Sequence, residues 1–347
     1  MRACTHFDVK KRETHARATV DVDDGVYVEP SRLTLGKWLD TWLEEYAKPS
    51  IKLSTYLTYE QRIRVNLKPA IGEVKLTALT APMIQKLYNQ MNISGLAPKS
   101  VKNIHGVLHK ALGQAVKLGF LKVNPSDVCK LPRMTKKAIK HFDRPQISAF
   151  LKAIKGHRYE TLYIVTLFCG MRQSEVLGLK WDCINFSDGS IRIVRQLQKE
   201  KVKGGVCYLS SVKNDKERRI PPAPYVMKLL QTHREEQEKQ RLFVGSAWLG
   251  DDYVFTNELG EHLLHSSVYK EFKKVAVSVG APECRFHDLR HSYAVAALES
   301  GDNIKSVQEN LGHHSVAFTL DTYGHVTDLM MRESANKMET YIHNVNG

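Results

Sequence analysis

The chain has 347 residues and a formal net charge of +14, from 51 Lys and Arg against 37 Asp and Glu. That length leaves room for two or three domains with their own cores, and a hydrophobic content of 42% excludes a disordered chain. The longest near-apolar run, 161–171, is about half the ~20 residues of a spanning helix and Met1-Arg2-Ala3-Cys4-Thr5-His6 lacks a signal peptide's apolar stretch, so no membrane is expected and a polyanion such as nucleic acid is the partner to consider first.

The six cysteines form no CxxC pair and read as reduced, buried thiols of a cytoplasmic protein. Residues 1–30 are polar, with an acidic patch at Asp21-Val22-Asp23-Asp24, and read as a tail or the remnant of a further N-terminal element. Thr34 is placed to cap a helix whose apolar positions are Leu35, Trp38, Leu39, Trp42 and Leu43. A second helix is predicted over 54–66, then Pro69 and Gly72 as punctuation, and a third over 81–91 with Pro82 in its first turn. The fourth, over 98–118, puts Val101, Ile104, Val107, Leu108, Ala111, Ala115 and Leu118 on one stripe and stops at Gly119. Lys99, Lys102, Lys110 and Lys117 ride on it, either as a solvated face or as contacts to a DNA backbone. Residues 31–128 thus read as a basic, all-helical domain of DNA-binding type.

A basic linker is expected over 129–142, where Arg133, Lys136 and Lys137 could lie along phosphates. From 143 the pattern is mixed. A buried helix over 161–169 breaks at Gly170 and another begins at 174. Strands are predicted over 191–197 and 206–212, with a third, short one near 218–222. Helices follow over 225–240, 266–279, 289–300 and 304–310, and a last one over about 328–343. The expected fold is mainly α with one small antiparallel β-sheet in a second domain, 143–326, followed by a C-terminal helical segment, 327–347.

Five dispersed residues of that second domain make a toolkit for holding and attacking a phosphodiester: Arg172, His287, Arg290, His313 and Tyr323. Arginine suits a doubly charged phosphorane because its planar fork donates parallel hydrogen bonds and keeps its charge. Each residue taken singly has a blander reading. Arg172 could simply pair with Glu175, and Tyr323 could be a core residue. His287 and His291 have the one-turn spacing of a zinc pair. Against zinc, Asp288 would have to replace the glutamate base, no third ligand is apparent, and Arg290 would crowd a dication. The phosphate reading instead uses His287 and Arg290, three apart and near one helix face.

Taken together and in order, Gly170-Met171-Arg172-Gln173-Ser174-Glu175-Val176-Leu177, His287-Asp288-Leu289-Arg290-His291-Ser292, Leu311-Gly312-His313 and Thr322-Tyr323-Gly324-His325 resemble the catalytic boxes of tyrosine recombinases of the phage-integrase family. The similarity covers about 31–347 and is greatest to integrases of conjugative transposons. It implies a two-domain clamp, a helical core-binding domain plus a catalytic domain, and DNA strand exchange without metal, ATP or other cofactor. Tyr323 would attack the scissile phosphate to give a 3′-phosphotyrosine and a free 5′-hydroxyl. Arg172 and Arg290 would clamp the non-bridging oxygens, His287 would assist proton removal from the tyrosine, and His313 would hydrogen-bond the phosphate. The family's general-acid lysine falls on Lys213, with Lys216 as competitor, and Glu175 would support Arg172. The implied partners are double-stranded DNA at core recombination sites, three further copies in a tetramer on DNA, and an excisionase-type accessory protein. The setting would be the nucleoid of a bacterial cytoplasm. The segment after Tyr323 would dock on a neighbouring protomer, and the short stretch before residue 31 puts arm-site binding in doubt. A type IB topoisomerase-like relaxing enzyme and a DNA-binding regulator with a decayed site are the competing readings.

Overall fold

The computed structural model describes residues 32–134, 139–199, 205–212, 217–250, 252–313 and 315–346, with the backbone alone for 321, 324–334, 336, 337 and 346. The tail expected over 1–30, and Lys136, Lys137, Lys213 and Lys216, lie outside the described residues. The chain divides after residue 136 into two compact units.

In the first unit the apolar spacing read from the sequence forms α1 (Leu35–Thr41), α2 (Leu53–Arg62), α3 (Ala81–Ile93) and α4 (Pro98–Lys117). Thr34 caps α1, its side chain accepting from the Lys37 backbone N–H at 3.4 Å. A buried indole N–H needs an acceptor, and that of Trp38 donates to the Ala111 carbonyl at 2.9 Å, tying α1 to α4. One side of α4 buries Val101, Ile104, Val107, Leu108, Ala111, Leu112 and Ala115. At 3.6 residues per turn Lys99, Lys110 and Lys117 fall within about 20° of one another, and Lys102 about 60° away, on the opposite side. All four lysines are exposed. Lys110 donates to the Tyr59 hydroxyl at 2.9 Å, and Tyr59 stacks on Trp42 with ring centroids 5.9 Å apart.

The stretch expected as a linker over 129–142 is held at both ends. Cys129 and Leu131 pack on the first unit's core, and Gln85 bridges Lys130, accepting from its N–H at 2.7 Å and donating to its carbonyl at 3.0 Å. Phe142 belongs to the second unit's core, with its backbone N–H on the Ser292 hydroxyl at 2.8 Å. Asp143 and Gln146 form a capping box that starts α5 (Arg144–Ala153).

In the second unit α6 (Glu160–Cys169) is buried nearly all round and ends at Gly170, in the left-handed region with φ 61°. A Cβ there would sit 2.5 Å from the Tyr293 ring, so both the backbone and the packing require glycine. After α7 (Gln173–Leu177), the strands β1 (Ile184–Asn185), β2 (Ser190–Ile193), β3 (Arg195–Lys199), β4 (Cys207–Ser211) and β5 (Arg218–Ile220) follow. They form two small antiparallel sheets where one was expected, ordered β1-β2-β5 and β3-β4. The run 191–197, expected as one strand, breaks at Val194 for a reason lying in its partner. Ile193 pairs with Arg218 and Arg195 with Ser211, so the strands on either side of Val194 have different partners, β5 and β4.

Helices α8 (Pro224–Val244), α9 (His265–Ser278), α10 (Asp288–Glu299) and α11 (Ile304–Leu311) complete the core. The last helix, α12 (Val316–Asn346), starts well before the expected 328 and is interrupted at Tyr323, where φ −120° and ψ 22° leave the helical region. The boundary expected between 326 and 327 therefore falls inside helix. What the sequence pattern could not show is that Tyr323 itself makes the break.

Candidate active site

Arg172 stands two residues past Gly170, the cap of α6, and at the start of α7, so the turn forced by Gly170 aims it. Its backbone N–H and guanidinium both reach Glu175, at 2.9 and 2.6 Å, and its other Nη lies 3.3 Å from the Gly312 carbonyl. The pairing with Glu175 is thus real, yet Glu175 is not Arg172's alone. Arg218 on β5 grips the same carboxylate with two hydrogen bonds of 3.0 and 2.6 Å and donates through Nε to the Asn310 carbonyl at 2.8 Å. Burial by itself would raise the Glu175 carboxyl, but the hydrogen bonds and charge of Arg218, then the charges of Arg172 and Arg290, hold it down at about 2. Glu175 is 1% exposed and the side chain of Arg172 24%, so the acid is spent inside while Arg172 keeps a face to solvent.

Arg290, on α10, is 2% exposed and among the described residues forms no ion pair. Two backbone carbonyls receive it, those of Gly170, at 2.6 Å, and Leu311. Burial, then the charge of Arg172, lower its pKa to about 9, so it stays charged at neutral pH. A buried cation satisfied only by carbonyl dipoles is a costly arrangement that an incoming anion relieves. Arg172, Arg218 and Arg290 surround one carboxylate, Glu175, so the cluster carries a surplus of positive charge.

That surplus governs the histidines. His313 lies just past α11, its Nδ1 2.9 Å from the Thr319 hydroxyl and its ring edge-on to Phe318 at 4.9 Å. Desolvation, then Arg290 and Arg172, lower it to about 3. His287 sits exposed at the N-terminus of α10 and is lowered to about 4 by desolvation and then by Arg290. Both are neutral imidazoles at physiological pH. Asp288, between the boxes' histidine and arginine, is buried and taken by Arg285 through three hydrogen bonds of 2.8, 3.2 and 2.9 Å, which fixes the start of α10.

Tyr323 is fully buried between α10 and α11, against Ala294, Leu298, Val307 and Leu311. Its phenol is pushed up to about 12 by burial, against the pull of Arg290. The phenol meets Nδ1 of His291 at 2.7 Å, not His287. His287 instead stands edge-on to the His291 ring, 5.1 Å between centroids. The sequence reading had set His291 aside once zinc was dismissed, and had missed Arg218 altogether. Among the described residues no group of three His, Cys, Asp or Glu side chains converges as a metal site, and no helix is long and apolar enough to cross a membrane. Arg218 had a signal: Arg218-Arg219 in one strand must point to opposite faces. Arg219 pairs outside with Asp188 at 2.6 Å, which leaves Arg218 turned inward to find an acid. His291 had the weaker signal of standing one turn after His287. On the first unit, Lys99, Lys102, Lys110, Lys117 and Arg133 are exposed.

Residues 137–330 match the model of the Phage integrase family, and 34–92 that of the "Phage integrase, N-terminal SAM-like domain". A relative from Caldanaerobacter subterraneus subsp. tengcongensis, a "Tyrosine recombinase XerC-like" protein, is 31% identical over 337 residues, 92% of this chain and 85% of its own length. In fold the chain is similar to the Tn1549 transposon integrase in complex with transposon right end DNA, with a TM-score of 0.74 at 18% identity, covering 87% of this chain and 100% of that one. It is also similar to lambda integrase, solved as a tetramer bound to a Holliday junction, with a TM-score of 0.63 at 18% identity over 90% and 89% of the two chains. With the arginine pair, the histidines and the tyrosine placed at the starts of α7 and α10, past the end of α11 and at the break in α12, and with the family model spanning more than half its length, the chain belongs to the phage integrase family of tyrosine recombinases.

Proposed function

We propose that the protein is a site-specific recombinase that cuts and rejoins double-stranded DNA through a 3′-phosphotyrosine at Tyr323, integrating and excising a mobile element. One observation carries the assignment of roles: Tyr323 reaches α10, 32 residues earlier in the chain, at the turn adjoining the buried Arg290. A nucleophile beside a buried cation that has no ion pair among the described residues is what a charged phosphorane needs. Arg172 and Arg290 then hold the non-bridging oxygens. A guanidinium has five N–H donors, so Arg172 retains some for a phosphate after serving Glu175 and Gly312. His287 and His313, neutral, donate to the phosphate, and Glu175 and Arg218 keep Arg172 in place. Lys213 protonates the leaving 5′-oxygen.

The first unit supplies affinity through Lys99, Lys102, Lys110 and Lys117, with Arg133, Lys136 and Lys137 following the backbone. Its relatives' assemblies suggest the setting, a tetramer on paired duplexes in the cytoplasm that holds the chromosome, with an excisionase-type protein setting direction. The test is a suicide duplex, nicked near the cleavage point and carrying the DNA that flanks the encoding gene. A covalent adduct is expected with the native chain, none with Tyr323→Phe, and no change with EDTA. An adduct that survives Tyr323→Phe sinks the assignment. Supercoil relaxation by a monomer without strand exchange would make it a topoisomerase instead.

A further inference from the structure

We propose, resting on Tyr323 as the nucleophile, that His291 is its catalytic base and takes the phenol proton at Nδ1 while the oxygen attacks phosphorus. The contact itself fixes the direction of the hydrogen bond. Tyr323 Oη has one hydrogen-bond partner among the described residues, Nδ1 of His291 at 2.7 Å. Were Nδ1 to carry the hydrogen, the buried phenol would have no acceptor for its own among the described residues, a cost of about 1–3 kcal/mol. The phenol therefore donates and Nδ1 accepts, with the ring proton on Nε2. The two rings lie 5.8 Å apart, so the imidazole is packed on the tyrosine as well as bonded to it.

The charges around the pair set when the proton moves. Facing His291 are His287, Asp288, Arg290 and Arg285 from its own helix and the turn before it, and Tyr323 and His313 from the opposite side. Desolvation, then His287, lower His291 to about 4, while the phenol stands at about 12. The proton thus rests on oxygen in the DNA-free protein. It leaves only as O–P bond formation drains charge from the phenol and the phosphate's negative charge makes the imidazole more basic. In the forward step the O–H and P–O5′ bonds break and the Tyr323–P bond forms. The phenol proton goes to His291, and the 5′-oxygen takes its proton from the separate acid. On rejoining, the 5′-hydroxyl attacks and His291 returns its proton to the departing phenol. This division leaves His287 free for the phosphate.

Two variants and one altered substrate test it in single-turnover cleavage of the suicide duplex. His291→Asn places an amide oxygen where Nδ1 stood, so it keeps the hydrogen-bond acceptor but cannot carry the proton. Both His291→Asn and His291→Ala should cleave about 10²–10³-fold more slowly, with the native chain's affinity for the duplex showing that they fold. In His291→Asn the rate should climb with pH as hydroxide replaces the base. A duplex with sulfur at the 5′-bridging position needs no proton on its leaving group. It should rescue Lys213→Ala and leave the His291→Asn defect in place. Full-rate cleavage by His291→Asn, or its rescue by sulfur, overturns the role of His291 alone. A native chain that forms no Tyr323-dependent adduct overturns the nucleophile assignment on which it rests.

Discussion

The lysines of α4 and the arginines around Glu175 both contribute to the charge of +14, but they stand in opposite environments. Lys99, Lys102, Lys110 and Lys117 project from the side of α4 facing away from its core, all four exposed, Lys110 while donating to the Tyr59 hydroxyl. Arg290 is enclosed and the Arg218 side chain is 9% exposed, and their field reaches Glu175, His287 and His313. Screened charges on flexible stems attract a polyanion without fixing it. Buried charges on rigid forks fix an anion and change the chemistry of their neighbours. Affinity and catalysis are therefore separable by substitution.

The sharpest break in that comparison is Arg290→Lys. An ammonium cannot span the Gly170 and Leu311 carbonyls and a phosphate together, so cleavage should fall by about 10²–10³-fold, while duplex affinity, measured by titration, changes little. A loss of affinity as large as the loss of rate would show that the two units do not divide the work this way. Next in size is Glu175→Gln. It removes the carboxylate held by Arg172 and Arg218 and leaves three cations together, a cost of about 3–5 kcal/mol to the second unit. Denaturant unfolding reads it, and adding Arg218→Met should recover part of the loss. No recovery would mean that the two groups act independently.

The helices and the order of the catalytic boxes were legible in the sequence because periodicity and glycine punctuation are local. Gly170, Thr34 and the apolar stripe of α4 act within a few residues of themselves. The two sheets were not legible, since the break at Val194 lies where pairing passes from one partner strand to another. The site shows the same limit. Arg172, Arg290, His313 and Tyr323 could be named from their order, but the sharing of Glu175 by Arg218, 43 residues on, and the His291–Tyr323 contact are products of tertiary packing.

Acid should expose the histidines' part in the contrast. His287 and His291 fold with pKa values of about 4 and His313 of about 3, against 6.5 when unperturbed. The unfolded chain thus binds protons that the folded one refuses, and stability present above pH 6.5 is lost as pH falls towards 4 and 3. Glu175, lowered from 4.5 to about 2, adds its own loss below pH 4.5. Unfolding midpoints measured between pH 7 and 4 should fall steadily, and fall less with bound duplex, because a phosphate offsets the arginine charge. Equal slopes with and without DNA would place the phosphate away from these histidines.

The smallest expected effects lie on α4 and decide whether its lysines do more than solvate. Neutralising any one lysine that meets a phosphate should flatten the salt dependence of binding by about 0.9 in log–log slope. Gly106 and Gly113 lie among those lysines, and a Cβ would meet nothing within 4 Å at Gly106 and only Asn124 Nδ2 at 3.9 Å at Gly113. Glycine inside a helix costs about 1 kcal/mol relative to alanine, and nothing in the fold calls for it at either place. Gly106→Ala and Gly113→Ala should therefore each stabilise the first unit by up to about 1 kcal/mol. If DNA packs against the bare backbone between the lysines, the same methyl groups stand in its way, and affinity should fall as stability rises. Stability and affinity moving in opposite directions is a result that a merely solvated lysine face cannot produce, whereas unchanged affinity would return the lysines to the solvent.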